Sequence, residues 1–164
     1  MKNKNSPLTF FITFRCYGTW LHGDQCGSTT RFQNKIGEPF VESNKGWLAF
    51  NKRRLKHAAF KLRKRQRPIV TSAIVETCEI REWLLHAVNV RTNHVHVVVG
   101  SGIDEGKKVL GALKANATRA LREKGLCDEH RSPWSKGGSI RYVWDISALG
   151  DVVDYVLNGQ GNEI

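Results

Sequence analysis

The chain has 164 residues, of which 40% are hydrophobic and 25% charged, which is ordinary for one soluble domain with its own core. Its 26 Lys and Arg outnumber 15 Asp and Glu to give a net charge of +11. That balance favours a polyanionic partner, and with no apolar helix face suited to lipid it favours nucleic acid over a membrane surface. No run approaches a membrane span and the first residues lack the apolar core of a signal peptide, so a cytoplasmic location and no membrane partner are expected. Cys16, Cys26, Cys78 and Cys127 show no Cys-x-x-Cys pairing, which indicates reduced structural thiols rather than a zinc ribbon or a redox motif.

Leu8 to Arg15 follows Pro7 and is rich in aromatic and β-branched residues, the signature of a first strand. From Cys16 to about Arg67 the pattern dissolves into Gly, Asn, Thr and cations, with short apolar patches such as Gly46 to Phe50. A basic insertion of this length is usually functional or partly disordered. Within it come Lys52, Arg53, Arg54, Lys56, Lys61, Arg63, Lys64, Arg65 and Arg67 with no acid among them, a run that repels itself unless something anionic lies beside it.

Pro68 suits a first helical turn, and the apolar spacing after it predicts a helix from about 68 to 82. A strand over 83–90 follows, and Arg91-Thr92-Asn93 turns it into a strand from His94 to Gly100. The segment 105–124 reads as an amphipathic helix ended by Gly125. Val109, Leu110, Leu113, Ala117, Ala120 and Leu121 share one face; Lys107, Lys108, Lys114, Arg119 and Arg122 share another. Residues 138–144 read as a last strand, and a final helix is expected from about 147 to 158. The order predicts an α+β fold: a ferredoxin-like split βαβ antiparallel sheet with helices on one face, an extra C-terminal helix, and the histidine strand in a central place. One domain over 1–164 is expected.

The chemistry is concentrated in that histidine strand. Alternation puts His94 and His96 on one face and Val95, Val97 and Val99 on the other. Two neutral imidazoles on a rigid strand make half of a metal site; the bland reading is a half-buried strand with two solvent-facing histidines. The C-terminal helix adds Tyr155, followed by Asn158 and Gln160. A tyrosine hydroxyl, with a pKa near ~10 in water, attacks a phosphodiester only when activated and when a cation polarises the phosphate.

Three segments carry a resemblance to a known family: Thr13 to Gly23, Asn89 to Val97 with its His-x-His, and Asp154 to Gly161 with its tyrosine. Together they make the chain resemble the single-tyrosine HUH transposases, including the REP-associated tyrosine transposases. The resemblance implies that His94 and His96 hold Mg²⁺ or Mn²⁺ against a scissile phosphate. It implies that Tyr155 attacks to leave a 5′-phosphotyrosine and a free 3′-OH. The partner it implies is single-stranded DNA with hairpin or palindromic ends. Family members commonly work as dimers while REP-associated relatives can be monomeric, so a homodimer and a monomer both stand. The cations taken as candidate DNA contacts are Arg15, Lys52, Arg53, Arg54, Lys61, Arg63, Lys64, Arg65, Arg91, Lys107, Lys114 and Arg141.

The sequence departs from the family at the third metal ligand. Members carry a Gln four residues after the tyrosine, where this chain has Gly159. Gln160 would point about 140° from Tyr155 on an ideal helix, so it reaches the metal only if the helix ends or bulges near Gly159. Gln160, Asn158 and water stay open as the third ligand, in that order. Two other functions keep parts of the pattern: a non-catalytic single-stranded nucleic-acid-binding module, and an HUH nickase of the replication-initiator or relaxase kind. Tyr17 and Tyr142 read as packing residues and Trp20, Trp47, Trp134 and Trp144 as core, unless one lies exposed beside a basic groove. His22, His57, His86 and His130 have no ligand-spaced partner.

Overall fold

The computed structural model describes residues 9–25 and 41–161. Leu8 and residues 26–40 of the expected insertion, Cys26 among them, lie outside the described residues. Along the chain the elements are β1 (Thr9–Arg15), α1 (Lys45–Arg53), α2 (Arg67–Ile80), β2 (Leu84–Val90), β3 (His94–Gly100), α3 (Gly106–Glu123), β4 (Ser139–Val143) and α4 (Ile146–Asn158). The strands form one antiparallel sheet in the order β2-β3-β1-β4, the split βαβ arrangement, with the histidine strand inside the sheet.

Alternation along the two central strands decides what each face of the sheet carries. Phe10, Ile12 and Phe14 of β1 and Val95, Val97 and Val99 of β3 join the core beneath α2 and α3. There they meet Val70, Ile74, Val109, Leu113, Ala117 and Leu121. Each large side chain buried in this way stabilises the fold by roughly 1.5–3 kcal/mol. The opposite face is covered by α4, whose Val156 packs with Phe11, Ala87, Val98 and Val143 in a much smaller cluster. Helix α4 starts where the Asp145 carboxylate accepts from the Ala148 N–H at 2.8 Å, satisfying one of the donors that a helix start leaves open.

The expected insertion contains a helix. Asn44 caps α1 by accepting from the Trp47 N–H at 2.9 Å, and the helix buries none of its residues. It is tied down by polar contacts instead: Asn44 N–H donates to Gly23 O, and Asn51 Nδ2 donates to His22 O at 3.1 Å. Beyond it Leu62 is fully buried in the main core, with its N–H donating to Thr92 O. Helix α1 is nine residues long and lays no apolar stripe into the core. The expectation of Trp47 and Trp144 as core is likewise corrected: Trp134 is buried, whereas Trp47 and Trp144 are exposed.

Candidate active site

The register of β1 against β3 pairs Thr13 with His96 and Arg15 with His94. Both imidazoles are buried, at 7% and 5% exposure, under the C-terminal end of α4. Each ring is oriented through Nδ1. His94 Nδ1 donates to Asn93 Oδ1 at 2.6 Å, and His96 Nδ1 lies 2.8 Å from Thr13 Oγ1. The Nε2 atoms are thereby turned to a common point. Burial first, then the nearby Arg91 charge, lowers the His94 pKa to about 4. His96 is lowered to about 3 by burial, then by His94, Arg91 and Arg141. Both rings are neutral near pH 7 and carry lone pairs.

The third group at that point is Gln160. Helix α4 ends at Asn158, and the Gly159 N–H donates to Tyr155 O at 2.9 Å. The backbone leaves the helical path at Gly159, with φ −86° and ψ 4°. This places Gln160 Oε1 3.1 Å from His96 Nε2 and 3.5 Å from His94 Nε2. The amide is held in that sense because its Nε2 donates to Tyr155 O at 3.3 Å. Asn158 is turned elsewhere, donating to Asp154 Oδ1 at 2.7 Å. Gly159 is needed on steric grounds, since a Cβ there would lie 2.8 Å from Tyr155 Cδ2.

Tyr155 is 47% exposed and stands beside the pair, its ring 5.9 Å from that of His96 and 6.1 Å from that of Phe11. Two residues of β2 and the following turn dock this end of α4. Asn89 Nδ2 donates to Val156 O at 2.8 Å. Arg91 donates to Gln160 O and Gly161 O at 3.2 and 3.4 Å. Among the described residues no group of three or more His, Cys, Asp or Glu side chains is placed to hold a metal. What the chain offers is two imidazole nitrogens and one amide oxygen directed at one point, within hydrogen-bonding distance of one another.

The other marked cations are dispersed. Arg141 sits on β4 opposite Phe11, and its charge acts on His96. Arg15 is half-buried and donates to Trp20 O at 3.0 Å. Lys52, Arg53, Arg54, Lys61, Arg63, Lys64 and Arg65 are exposed. Lys107 is the length of β3 away, lining a cleft of about 700 Å³ with Thr9, Ser101 and Tyr142. Lys114 is engaged internally, donating to Ser135 O and Gly137 O at 2.7 and 2.8 Å, and burial lowers its pKa. Thr13, Asn89 and Asn93, which lie in the segments that carry the resemblance but have no expected role there, join the site, and Arg91, expected on DNA, holds the Gln160 turn. Trp20, expected in the core, instead lays its ring against His94 at 4.6 Å between centroids.

No helix among the described residues is long and apolar enough to cross a membrane. No protein-family model and no curated protein matches the sequence. Among solved structures, the REP-associated tyrosine transposase bound to a REP hairpin is similar over 95% of this chain and 68% of its own, with a TM-score of 0.54 and 13% sequence identity. At that identity the likeness shows a shared α+β fold.

Proposed function

We propose that this chain is a single-tyrosine HUH enzyme, a metal-dependent strand transferase that cleaves and rejoins single-stranded DNA beside hairpins. The observation that carries the reading is the convergence of His94 Nε2, His96 Nε2 and Gln160 Oε1 next to Tyr155, with nucleophile and third donor on one short segment. The donor set fits a divalent cation, because two imidazole nitrogens and an amide oxygen meeting at one point can each turn a lone pair toward it. His94, His96 and Gln160 would hold Mg²⁺ or Mn²⁺, which when bound supplies Lewis-acid polarisation of a phosphate oxygen.

The residues of the chain do the rest. Tyr155 loses its phenolic proton to the solvent that reaches it, and its Oη forms a bond to phosphorus. The bond from phosphorus to the 3′ oxygen breaks, and that oxygen takes up a proton to become a free 3′-OH. The 5′ side stays attached to Tyr155 as a phosphotyrosine, so the phosphoester is conserved and another 3′-OH can reverse the step without ATP. Arg141, on the same face as the histidines, adds positive charge where a phosphate would sit. The hairpin in the similar solved structure and the net charge of +11 both favour a DNA partner.

The test is a denaturing gel of the protein with a labelled pool of hairpin-bearing single strands, in Mn²⁺ or in EDTA, with wild type and Tyr155→Phe. A protein–DNA band that needs both the metal and Tyr155 is expected. Retained binding with no such band in wild type would replace this reading with a non-catalytic binding module.

A further inference from the structure

Trp20 occupies a backbone conformation that its own side chain opposes. Its φ of 51° is left-handed, a region that glycine, and to a lesser degree Asn or Asp, visits readily and an indole-bearing residue does not. Packing into the core does not account for it, because the side chain is only half-buried and belongs to neither apolar cluster. The surrounding structure nonetheless holds it firmly. Arg15 Nη1 donates to Trp20 O at 3.0 Å. Thr19 Oγ1 donates to Cys16 O and Asn93 O at 2.7 and 3.2 Å, and the Cys16 N–H donates to Asn93 O. Asn93 is the residue whose side chain orients His94, so the turn that strains Trp20 is tied to the donor cluster itself. A strained residue that its neighbours over-determine at a site is a functional signal.

The ring completes a row. Trp20 packs on His94 at 4.6 Å, His94 on His96 at 4.5 Å, and His96 lies 5.9 Å from Tyr155. Two residues beyond Trp20, His22 stacks on Trp47 of α1, with centroids 5.1 Å apart and planes within 16°. Trp47 is 38% exposed and Lys45, Lys52 and Arg53 of the same helix are exposed. Loop and helix are packed closely enough that a Cβ on Gly23 would lie 2.5 Å from Asn44 O.

We infer that Trp20 is a base-stacking subsite that receives the unpaired base beside the reacting phosphate, with Trp47 and the cations of α1 receiving the strand beyond it. The inference rests on the nucleic-acid reading above and adds to it the means by which the strand is seated. An aromatic face beside a phosphate-binding point is the arrangement by which single strands are gripped without dependence on sequence, since every base has a π face and the cations follow the backbone.

The experiment measures affinity for two probes, a short oligothymidylate and its abasic counterpart with the same number of phosphates, using wild type, Trp20→Gly and Trp20→Phe. Glycine suits the left-handed backbone, so Trp20→Gly is expected to keep the urea midpoint of wild type or raise it. Its affinity for oligothymidylate is expected to fall about tenfold, the size of one missing stack, while affinity for the abasic strand stays as in wild type. Trp20→Phe is expected to retain most of the preference for the base-bearing strand. Equal weakening on both probes, or weakening on neither, overturns the inference. Indifference of wild type to the bases overturns it as well while leaving Tyr155 chemistry standing. A base preference that depends on Trp20 in a protein forming no Tyr155 adduct sinks the strand-transfer reading and upholds the subsite.

Discussion

The two faces of the sheet are built from alternate residues of the same strands and do opposite work. Beneath α2 and α3 the residues from β1 and β3 are apolar, and Ile12, Phe14, Val95, Val97 and Val99 are fully buried. On the α4 side the same strands give Phe11 and Val98 to a small apolar cluster and present Thr13, Arg15, His94 and His96, with Asn89 alongside, at the donor site. A face that is dry and close-packed tolerates little change of volume. A face of oriented polar groups tolerates changes in stability but not in atoms. One register therefore lets the valine face hold the histidine face rigid enough for three donors to meet.

The sharpest way to break this contrast is to damage each face in turn. Phe14→Ala is expected to lower the unfolding free energy by about 3–5 kcal/mol, read from urea denaturation. Tyr155→Phe should leave the urea midpoint unchanged and abolish the covalent adduct. A Phe14→Ala protein as stable as wild type would show that the valine face is not the foundation of the sheet.

Acid tests the buried imidazoles. An unfolded His titrates near ~6.5, whereas His94 and His96 are lowered to about 4 and about 3. Between those values and ~6.5 the unfolded chain binds more protons than the folded one, so stability rises with pH through this window and is lost as pH falls. The contribution is fully present above ~6.5. Metal-free protein should show this slope, and a His94→Asn, His96→Asn double variant should lose much of it. An equal slope in both would assign the acid sensitivity to other groups.

Smaller effects concern support and reach. Arg91→Ala removes the two bonds holding the Gln160 turn and is expected to weaken Mn²⁺ binding about tenfold by calorimetry, as outer partners of metal ligands do. Unchanged affinity would mean the turn holds without it. Reversing Lys61, Lys64 and Arg65 to Glu should reduce the salt slope of DNA binding by about one for each phosphate no longer neutralised. Lys114→Gln should leave that slope alone, because Lys114 is spent on Ser135 and Gly137. A slope insensitive to the triple reversal would take the basic run out of the interface.

Local patterning makes most of the fold legible. Period-two alternation sorts His94 and His96 from the valines, and the glycines flanking Gln160 signal that α4 can end in time for the amide to reach the pair. Contacts made across the sheet leave no such trace. Thr13 meets His96 because two strands far apart in sequence are paired, and nothing near either residue announces it. Helix α1 escapes notice because it is short and buries no stripe of its own. Composition points Trp20 to the core because it is silent on φ, and a left-handed tryptophan is visible only once Arg15 and Asn93 are in place around it.

The docking of α4 has a consequence for how firmly the donor cluster is assembled. Val156 is the one buried residue of that helix, and Asn89 and Arg91 fasten its last turn by a few polar bonds. Such an element opens at a free energy well below that of global unfolding. Because Tyr155 and Gln160 ride on the same few residues, one fraying event withdraws both together, and the amides of α4 should exchange with deuterium sooner than those of β3. Occupancy of the donor cluster should slow that exchange, making the terminal helix a reporter of whether the centre is assembled.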